Sequence, residues 1–246
     1  MTRIRLDQLV VQSGLAESRE KAQRLIRSGS VRIDGHPQTK PGHLYPLDTR
    51  LEMEAPPRFV SRGGEKLETA FAAFNLNVDG LVAVDVGAST GGFTDCLLQH
   101  GAARVYALDV GHGQLHWKLR NDPRVIVREG INARLLEASM FDESPQFAVV
   151  DVSFISLALV LPPLVEALTP DAQIITLIKP QFEAGRELVG KNGVVRDPEV
   201  HQQVIDRIKE FGESRLNLVW CGLCESAIKG PAGNVEFLAW WKKHTR

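Results

Sequence analysis

The 246-residue sequence carries 29 Lys and Arg against 30 Asp and Glu, and 43% of its residues are hydrophobic. This composition supports one large and one small domain, and its balanced charge means that any nucleic-acid surface must come from locally clustered cations. No apolar run reaches the roughly 18 residues of a membrane span, no signal-peptide core opens the chain, and three cysteines are too few for a disulfide framework. We therefore expect a cytoplasmic protein that does not enter membranes.

The first 60 residues show the patterns of a small α+β domain. The apolar stripe of residues 6–10 predicts a first helix, and Ser18 is a suitable N-cap for a second helix that Gly29 ends. Alternation over residues 31–33 then predicts a strand, followed by a tight turn at residues 34–35.

This segment is also locally basic, with ten Lys and Arg against seven Asp and Glu. A solvated helix face is the simpler interpretation of such charges. Because the cations cluster and the acids do not alternate evenly with them, a phosphate-binding face is the stronger prediction. The predicted RNA-binding residues are Arg3, Arg5, Arg19, Lys21, Arg24, Arg27 and Arg32, with Arg62 added from the next segment.

The run RLDQLVVQSGLAESREKAQRLIRSGSVRIDG resembles the S4-like RNA-binding domain. The resemblance implies that the segment binds structured RNA by shape and backbone rather than by base sequence. Prolines then punctuate an extended stretch as far as Pro57. We accordingly predict an S4-like domain over residues 1–56, a linker over residues 57–60 and a second domain over residues 61–246.

Short apolar runs alternate with helical or loop segments after residue 61. They cover residues 81–86, 105–108, 125–127, 147–150 and 174–178. This alternation predicts an α/β domain with a mostly parallel sheet that is covered on both faces. Ligands of such sheets bind beyond the carboxyl ends of the strands, so residues at those ends are the candidates for function.

The first of these runs leads into the glycine-rich segment VDVGASTGGFTDCLL. Gly87, Gly91 and Gly92 allow a tight turn at a helix start, and Asp109 at the end of the next strand can bind ribose hydroxyls. The spacing is G-x-x-x-G-G, and Asp85 would meet an ammonium group but repel a pyrophosphate. S-adenosylmethionine is therefore favoured over a dinucleotide, although a dinucleotide enzyme and an unrelated fold with structural glycines remain alternatives.

Two further strand ends carry a carboxylate and an amine. The strand FAVVD ends at Asp151 and the strand AQIITLIK ends at Lys179, and these groups meet if the strands are neighbours. Lys66 precedes a predicted amphipathic helix, and Glu236 stands inside the otherwise apolar strand VEFLAWW, where a lone charge is costly unless it is paired. Each residue alone suggests a structural ion pair, whereas four at these positions together suggest a reaction centre.

Over nearly its whole length the chain resembles the TlyA family, also labelled hemolysin A, whose large domain is similar to FtsJ-type ribose methyltransferases. The resemblance rests on the segments FVSRGGEKL, VDVGASTGGFTD, DVGHGQLHWKLR, VVDVSFISL, LIKPQFE, VGKNGVVRDP and KGPAGNVEFL. It implies a Rossmann-like S-adenosylmethionine-dependent methyltransferase domain with a mostly parallel, seven-stranded sheet. It also implies methylation of a cytidine 2′-hydroxyl in large-subunit, and in some members small-subunit, ribosomal RNA.

The resemblance further assigns roles to individual residues. It implies a catalytic tetrad of Lys66, Asp151, Lys179 and Glu236. It implies that S-adenosylmethionine is bound by Asp85, Gly87, Ser89, Gly91, Gly92, Asp109, Asn132 and Asp151, with no metal. The partner would be ribosomal RNA or a ribosomal subunit. One departure is His112, which occupies a position where an aromatic tyrosine is expected and which puts a local cofactor contact in doubt.

The implied chemistry is consistent with the residue types. A ribose hydroxyl is a weak nucleophile, so the enzyme must align it with the methyl donor and help to remove its proton. Burial or a second cation favours a neutral lysine, which makes Lys179 a candidate base oriented by Asp151. Which group accepts the proton stays open at this point.

Three other functions compete with methyl transfer. The run WCGLC resembles a redox motif, but such a motif needs its cysteines at a helix start, and LNLVWCGLC is typical of a strand that runs into a loop. An RNA-binding factor without methyl transfer is argued against by the complete tetrad. A membrane-lytic protein would suit the hemolysin label but has no membrane segment in the sequence.

Overall fold

The chain divides into two compact units, Met1–Arg58 and Phe59–Arg246. The computed structural model describes residues 3–54 and 57–244. Phe59 is only 4% exposed and packs in the core of the second unit, so that unit begins within the predicted linker. Pro56, where we place the end of the first domain, lies outside the described residues.

The first unit is a small α+β domain with two helices. Its strands and helices are β1 (Arg3–Arg5), α1 (Leu6–Gln12), α2 (Arg19–Arg27), β2 (Val31–Ile33), β3 (His36–Pro37), β4 (Leu44–Pro46) and β5 (Glu52–Met53). Strand β1 pairs antiparallel with β4, and β2 lies between β3 and β5. The apolar faces of α1 and α2 pack together over β2 to form the core of the unit.

Local signals in this unit act as the sequence predicts. The Ser18 hydroxyl caps α2 by accepting a hydrogen bond from the Lys21 backbone amide at 3.2 Å. Asp34 and Gly35 both have positive φ and join β2 to β3, which is the geometry of a two-residue hairpin. The predicted helix cap, strand and turn are therefore confirmed.

The second unit alternates strands and helices in its first half and ends in two long strands. Its helices are α3 (Gly63–Phe74), α4 (Gly92–Gln99), α5 (Trp117–Arg120), α6 (Leu157–Ala167), α7 (Pro180–Glu183) and α8 (Pro198–Leu216). Its strands are β6 (Val82–Val86), β7 (Arg104–Asp109), β8 (Val125–Glu129), β9 (Phe147–Val150), β10 (Gln173–Ile178), β11 (Leu218–Glu225) and β12 (Phe237–Lys243). Four short 3-10 helices cover Ala133–Leu135, Ala138–Met140, Arg186–Leu188 and Lys191–Gly193.

Seven strands of this unit form one sheet in the order β11-β12-β10-β9-β6-β7-β8. The five strands from β6 to β10 are parallel, and β12 runs antiparallel to both β10 and β11. The predicted mostly parallel seven-stranded sheet is thus confirmed. The carboxyl ends of the parallel strands all open at one edge of the sheet, and Asp109, Asp151 and Lys179 lie at that edge.

Apolar side chains bury both faces of this sheet, as its continuous hydrophobic runs require. One cluster joins α3 and α4 to the sheet and includes Leu67 and Leu97. The other joins α6 and α8 to the opposite face and includes Leu161 and Ile208. Full burial of each such side chain contributes roughly 1.5–3 kcal/mol, so the sheet is a rigid support for the loops at its edge. Among the helices of the described ranges, none combines the length and the apolar character needed to cross a membrane.

Candidate active site

The turn between β6 and α4 contains the three glycines of the predicted cofactor loop. Gly87 and Gly91 have φ of +88° and +95°, a conformation that favours glycine. A Cβ on Gly87 would lie 2.5 Å from the Asp151 carbonyl oxygen, and one on Gly92 would lie 2.7 Å from the Gly64 amide nitrogen. The glycines therefore let neighbouring protein segments approach closely, in addition to allowing the tight turn that the sequence predicts.

A cavity of about 550 Å³ opens beside this turn at the sheet edge. It is lined by Val86, Gly87, Ser89, Leu108, Asp109, Val110, Gln114, Asn132, Ala133, Arg134 and Asp151, with Ile131 and residues 152–155. Five of the predicted cofactor residues thus line one cavity, namely Gly87, Ser89, Asp109, Asn132 and Asp151. Gly91 lies within the turn beside it, and His112 is not among the residues that line it.

Asp109 organises the rim of this larger cavity. Its carboxylate accepts hydrogen bonds from the Ser89 amide and the Gly111 amide, each at 2.7 Å. Each carboxylate oxygen has further lone pairs, so both remain able to accept hydrogen bonds from the hydroxyls of a ribose. The Ser89 hydroxyl in turn contacts Gln114, a residue that sequence reasoning missed.

Asp85 lies fully buried in β6. Its Oδ2 accepts a hydrogen bond from the Thr94 hydroxyl at 2.7 Å, while its Oδ1 has no hydrogen-bond partner. Burial is the main cause that raises the pKa of this carboxyl to about 7, and the charges of Asp151 and Asp109 contribute to the same shift. An ionised Asp85 therefore needs a positive group nearby.

These features fit S-adenosylmethionine and oppose a pyrophosphate. Asp109 and Asp151 line the cavity, and the charges of both raise the pKa of the buried Asp85, so the three carboxylates favour a ligand that carries positive charge. The wall that contains Val110, Ile131 and Ile155 is apolar, which suits a flat aromatic base. The residues present thus fit an adenosine that bears an ammonium and a sulfonium.

A second, smaller cavity of about 220 Å³ adjoins the larger one. It is lined by Ser61, Arg62, Gly63, Lys66, Gly87, Ala88, Ser89, Thr90, Gly92, Phe93, Asp151, Ile228, Lys229 and Pro231. Gly87, Ser89 and Asp151 line both cavities. Two ligands bound in these cavities would therefore meet at Asp151.

The four residues of the predicted tetrad form two ion pairs at this junction. Lys66 Nζ lies 2.6 Å from Glu236 Oε2, and Lys179 Nζ lies 2.6 Å from Asp151 Oδ1. Lys66 and Lys179 are 9% and 8% exposed and Glu236 is 1% exposed, so each buried charge is compensated by its partner. Glu236 precedes β12 instead of lying inside it. Its side chain accepts hydrogen bonds from Lys66 and from the Gln181 side-chain amide, the latter at 3.4 Å.

Lys179 contacts both Asp151 and Ser153. Its Nζ lies 2.6 Å from Asp151 Oδ1 and donates a hydrogen bond to the Ser153 hydroxyl at 2.9 Å. Asp151 Oδ1 is buried and has this charged contact but no well-aligned hydrogen bond. A carboxylate oxygen has two lone pairs, so Oδ1 can also accept a hydrogen bond from a ligand hydroxyl.

Sequence reasoning also missed an exposed aromatic residue beside the tetrad. Phe154 is 90% exposed and has a φ of +63°, and its ring lies 4.9 Å from the ring of Phe182. A bulky residue with positive φ persists only where its surroundings hold it, and such residues concentrate at functional sites. The only sequence signal was a large apolar residue three positions after Asp151.

Several predicted RNA-binding cations make internal ion pairs in the first unit. Arg5 and Arg19 both lie 3.0 Å from Asp7, a fully buried carboxylate. The Arg5 hydrogen bond, with those from Gln23 and Arg19, holds the pKa of Asp7 well below its usual range. Lys21 pairs with Glu17 and Arg32 pairs with Glu54. Arg5 and Arg19 thus stabilise the domain, a role that the sequence interpretation did not foresee.

Three other predicted cations of this unit are exposed. Arg3, Arg24 and Arg27 have no ion-pair partner among residues 3–54 and 57–244. Arg24 and Arg27 lie one turn apart on α2, so their side chains share one side of the helix. They are the strongest candidates for contacts with phosphate. Arg62, in the second unit, lines the smaller cavity.

The cysteines lie outside the site described above. Cys221 and Cys224 both lie within β11, and burial raises the pKa of each thiol, so neither is activated for redox chemistry. Within the described part of the chain, Glu68, Cys96 and His100 form one group of potential metal ligands, with donor atoms within 4.8 Å of one another. There Glu68 already contacts the His100 ring at 2.8 Å.

Comparison with known proteins gives matches over both units. The FtsJ-like methyltransferase family matches residues 59–243, and the S4 domain matches residues 4–49. A Mycobacterium tuberculosis relative, named 16S/23S rRNA (cytidine-2′-O)-methyltransferase TlyA, is 46% identical over 99% of this chain and 91% of its own length. Hemolysin A of Brachyspira hyodysenteriae is 44% identical over 96% of this chain and 98% of its own. A solved structure from Streptococcus thermophilus is 46% identical, with a TM-score of 0.76 over 99% of this chain and 90% of that one.

Proposed function

The chain belongs to the TlyA family of FtsJ-like methyltransferases, and from this premise we propose that it methylates the 2′-hydroxyl of a cytidine ribose in ribosomal RNA, with S-adenosylmethionine as methyl donor. The observation that carries the proposal is the junction of two cavities at Asp151, with the Lys66–Glu236 and Lys179–Asp151 pairs beside it. One cavity suits a nucleoside cofactor and the other a single nucleotide of the acceptor.

The larger cavity would hold the cofactor. Asp109 would accept hydrogen bonds from the ribose hydroxyls, and Asn132 with the apolar wall would surround the base. Asp85 is fully buried and lines neither cavity, so it would act on the ammonium through its charge. When bound, S-adenosylmethionine supplies a methyl group on a positively charged sulfur, already activated for transfer. The protein is therefore left to align the acceptor, to exclude water and to receive a proton.

Asp151 and Lys179 would act on the acceptor hydroxyl. A ribose in the smaller cavity would lie against Asp151, whose Oδ1 keeps a lone pair in addition to its contact with Lys179. The 2′-hydroxyl would donate a hydrogen bond to this atom and would thereby be oriented. As the hydroxyl oxygen attacks, its proton passes to the Asp151–Lys179 pair, and Ser153 keeps the lysine amine in place.

Lys66 and Glu236 would organise the acceptor side. The Lys66 amine lines the smaller cavity and is held by Glu236, so it presents a fixed positive charge toward the developing oxyanion. Arg62 and Lys229 also line this cavity and would contact the phosphates that flank the target ribose. Phe154 provides an exposed ring on which an unstacked base can pack.

The first unit would contribute affinity for folded RNA. S4-like domains are expected to recognise RNA through shape and phosphate contacts, and exposed arginines on α2 suit that role. The relative from M. tuberculosis is named for both 16S and 23S substrates, so a site in either ribosomal subunit is a candidate here. Such a substrate fits the cytoplasmic location that the composition predicts.

The alternative functions receive less support. An RNA-binding factor without activity would not need two buried Lys–carboxylate pairs that converge on a cavity, because buried ion pairs are seldom a source of net stability. The hemolysin name belongs to a relative, and none of the described helices is long and apolar enough to cross a membrane.

A direct assay tests the proposal. Purified protein is incubated with S-adenosylmethionine carrying a labelled methyl group and with each ribosomal subunit from a host that lacks this modification, and methylated nucleotides are then mapped. We expect label on one cytidine 2′-oxygen and none with Lys179→Ala. Label on a base atom, or equal label with that variant, would refute the ribose mechanism.

A further inference from the structure

Backbone pairing does not fix the distance between the two catalytic groups of the Asp151–Lys179 pair. The parallel pairing of β9 and β10 ends at Val150 and Thr176. Asp151 is then tied to β6 through its amide and the Val86 carbonyl at 2.9 Å, whereas β10 continues to Ile178 against β12. The register of the two loops that follow these strands therefore depends on side-chain connections, which include the contacts of Lys179 with Asp151 and Ser153.

Glu183 supplies such a connection. Its Oε1 accepts a hydrogen bond from the Leu157 amide and its Oε2 accepts one from the Ser156 hydroxyl, both at 2.7 Å. Leu157 and Ser156 begin α6 at the end of the Asp151 loop, while Glu183 ends the short helix α7 that starts directly after Lys179. One carboxylate thus joins the loop of the catalytic aspartate to the turn of the catalytic lysine.

The position of Glu183 at the amino terminus of α6 is favourable for a carboxylate. A negative charge at the amino terminus of α6 is stabilised by its unpaired amides and dipole. Burial nevertheless raises the pKa of Glu183, so the group is partly removed from water and depends on these two donors. Arg207 from α8 also donates to the Glu183 backbone carbonyl, which fixes the end of α7.

The same connection holds the strained part of the Asp151 loop. Phe154, with its positive φ, lies between Asp151 and the residues that Glu183 binds, and its ring packs on Phe182 of α7. Phe182 also lies under the Lys179 amine, 5.9 Å from the ring centroid. The loop and the turn therefore contact each other at several points, of which Glu183 makes the strongest hydrogen bonds.

We propose that Glu183 is a positioning residue for methyl transfer, one that aligns Asp151 and Phe154 with Lys179 by clamping the start of α6 to the end of α7. This inference rests on the proposed function. Glu183 does not line either cavity, so it acts through the residues that it holds. Its loss should impair the chemical step more than cofactor binding, because residues 151–155 form only one wall of the larger cavity.

The test compares Glu183→Ala, Glu183→Gln and a matched control. Glutamine keeps a carbonyl oxygen for the Leu157 amide and an amide group that can donate to Ser156, so it should restore most of the clamp. The control is Asp197→Ala, which removes the comparable cap at the start of α8, where Asp197 accepts from the Glu199 amide at 2.9 Å. Measurements are kcat on ribosomal RNA, the Kd of S-adenosylmethionine and amide hydrogen exchange.

For Glu183→Ala we expect kcat to fall about 10- to 100-fold and exchange over residues 151–157 to accelerate. The cofactor Kd should rise by a smaller factor, because residues 151–155 form only one wall of the larger cavity. Glu183→Gln should recover most of kcat, and Asp197→Ala should keep it. If Glu183→Ala does not fold, Glu183→Asp, which retains the charge but is too short to reach both donors, takes its place.

Two results would overturn the inference. One is wild-type kcat in a folded Glu183→Ala protein, and the other is an equal loss of kcat in Asp197→Ala, which would reduce the effect to general stability. Hydrogen exchange tests the clamp without any activity measurement, so the result does not depend on the proposed function. If the wild-type protein methylates no ribosomal RNA, the proposed function fails, while unchanged exchange over residues 151–157 in Glu183→Ala would still refute the clamp.

Discussion

At the scale of single residues, Lys179 is the side chain whose removal should stop methyl transfer while the protein still folds. Lys179→Ala should lower the rate of methyl transfer by about 10²–10⁴-fold, because the pair that receives the proton of the acceptor hydroxyl then lacks its amine. The circular dichroism spectrum and RNA binding should change little, since Lys179 follows β10 and the strand pairing is unaffected, whereas thermal stability should fall because Asp151 loses its counter-ion. Lys209→Ala, which removes a lysine on α8 outside both cavities, should keep full activity.

The same mechanism requires a hydroxyl at the target ribose. A ribosomal RNA with a single deoxyribose at the mapped nucleotide should bind normally and accept no methyl group there. Methylation of that substrate at the same nucleotide would identify a base atom as the acceptor. The roles proposed for Lys66, Asp151, Lys179 and Glu236 would then be wrong.

Asp85 gives a second residue-scale prediction, on pH. Its carboxyl has a pKa of about 7 in the folded protein and 3.8 in the unfolded reference, so its stabilising contribution is fully present below pH 3.8 and is lost as pH rises through 7. The ligand-free protein should lose up to about 4 kcal/mol of unfolding free energy from this group over that range. Thermal unfolding of wild type and Asp85→Asn at pH 5 and 8 measures the difference, and parallel curves would contradict it.

Cofactor binding should change in the opposite direction over part of this range. An ammonium beside Asp85 favours the ionised carboxyl, so affinity for S-adenosylmethionine should increase from pH 6 toward pH 7.5 and binding should release a proton. Calorimetry in two buffers of different ionisation enthalpy detects that proton. Asp85→Asn should bind more weakly and release none from this site.

At the scale of secondary-structure elements, close approach between α3 and α4 supports the cofactor turn. A Cβ on Gly92 would meet the Gly64 amide nitrogen at 2.7 Å, whereas one on Gly63 finds its nearest atom at 3.5 Å. Gly92→Ala should therefore destabilise the fold by about 1–3 kcal/mol through overpacking and weaken cofactor binding. Gly63→Ala, at the same interface, should retain stability, and equal thermal shifts in the two variants would contradict this explanation.

Element-scale features also show how far the sequence could predict the structure. Hydrophobic runs located the five parallel strands, because burial on both sheet faces leaves continuous apolar runs. It could not give the antiparallel β11 and β12 or show that Glu236 precedes β12, since these depend on pairing between distant segments. Single residues such as Glu183 and Phe154 were missed for the same reason, because their partners lie on other loops.

The glycines illustrate a related limit. The spacing in VDVGASTGGFTD correctly indicated a tight turn at a helix start, but a sequence carries no record of which atoms approach each glycine. In the structure, the Asp151 carbonyl and the Gly64 amide do so. Similarly, charge clustering pointed to the first unit as basic, but only the three-dimensional structure separates Arg5, which compensates Asp7, from exposed arginines.

At the scale of the whole molecule, the chain combines a catalytic unit with a unit suited to RNA, and its net charge of −1 hides this division. Affinity for RNA should therefore depend on a few exposed cations rather than on overall charge. A protein whose net charge is near zero gains little from long-range electrostatic attraction to RNA. Local contacts then determine both the strength of binding and its salt dependence.

The last prediction separates binding from structural arginines. Replacing Arg3, Arg24 and Arg27 together by alanine should weaken binding to ribosomal RNA and reduce the slope of log K against log salt by roughly 1 for each phosphate that is no longer bound. Cofactor affinity should stay the same, because these residues lie outside the methyltransferase unit. Arg5→Ala should instead lower thermal stability, because the buried charge of Asp7 then loses one of its two arginine partners. An unchanged salt slope in the triple variant would place the RNA contacts elsewhere on the chain.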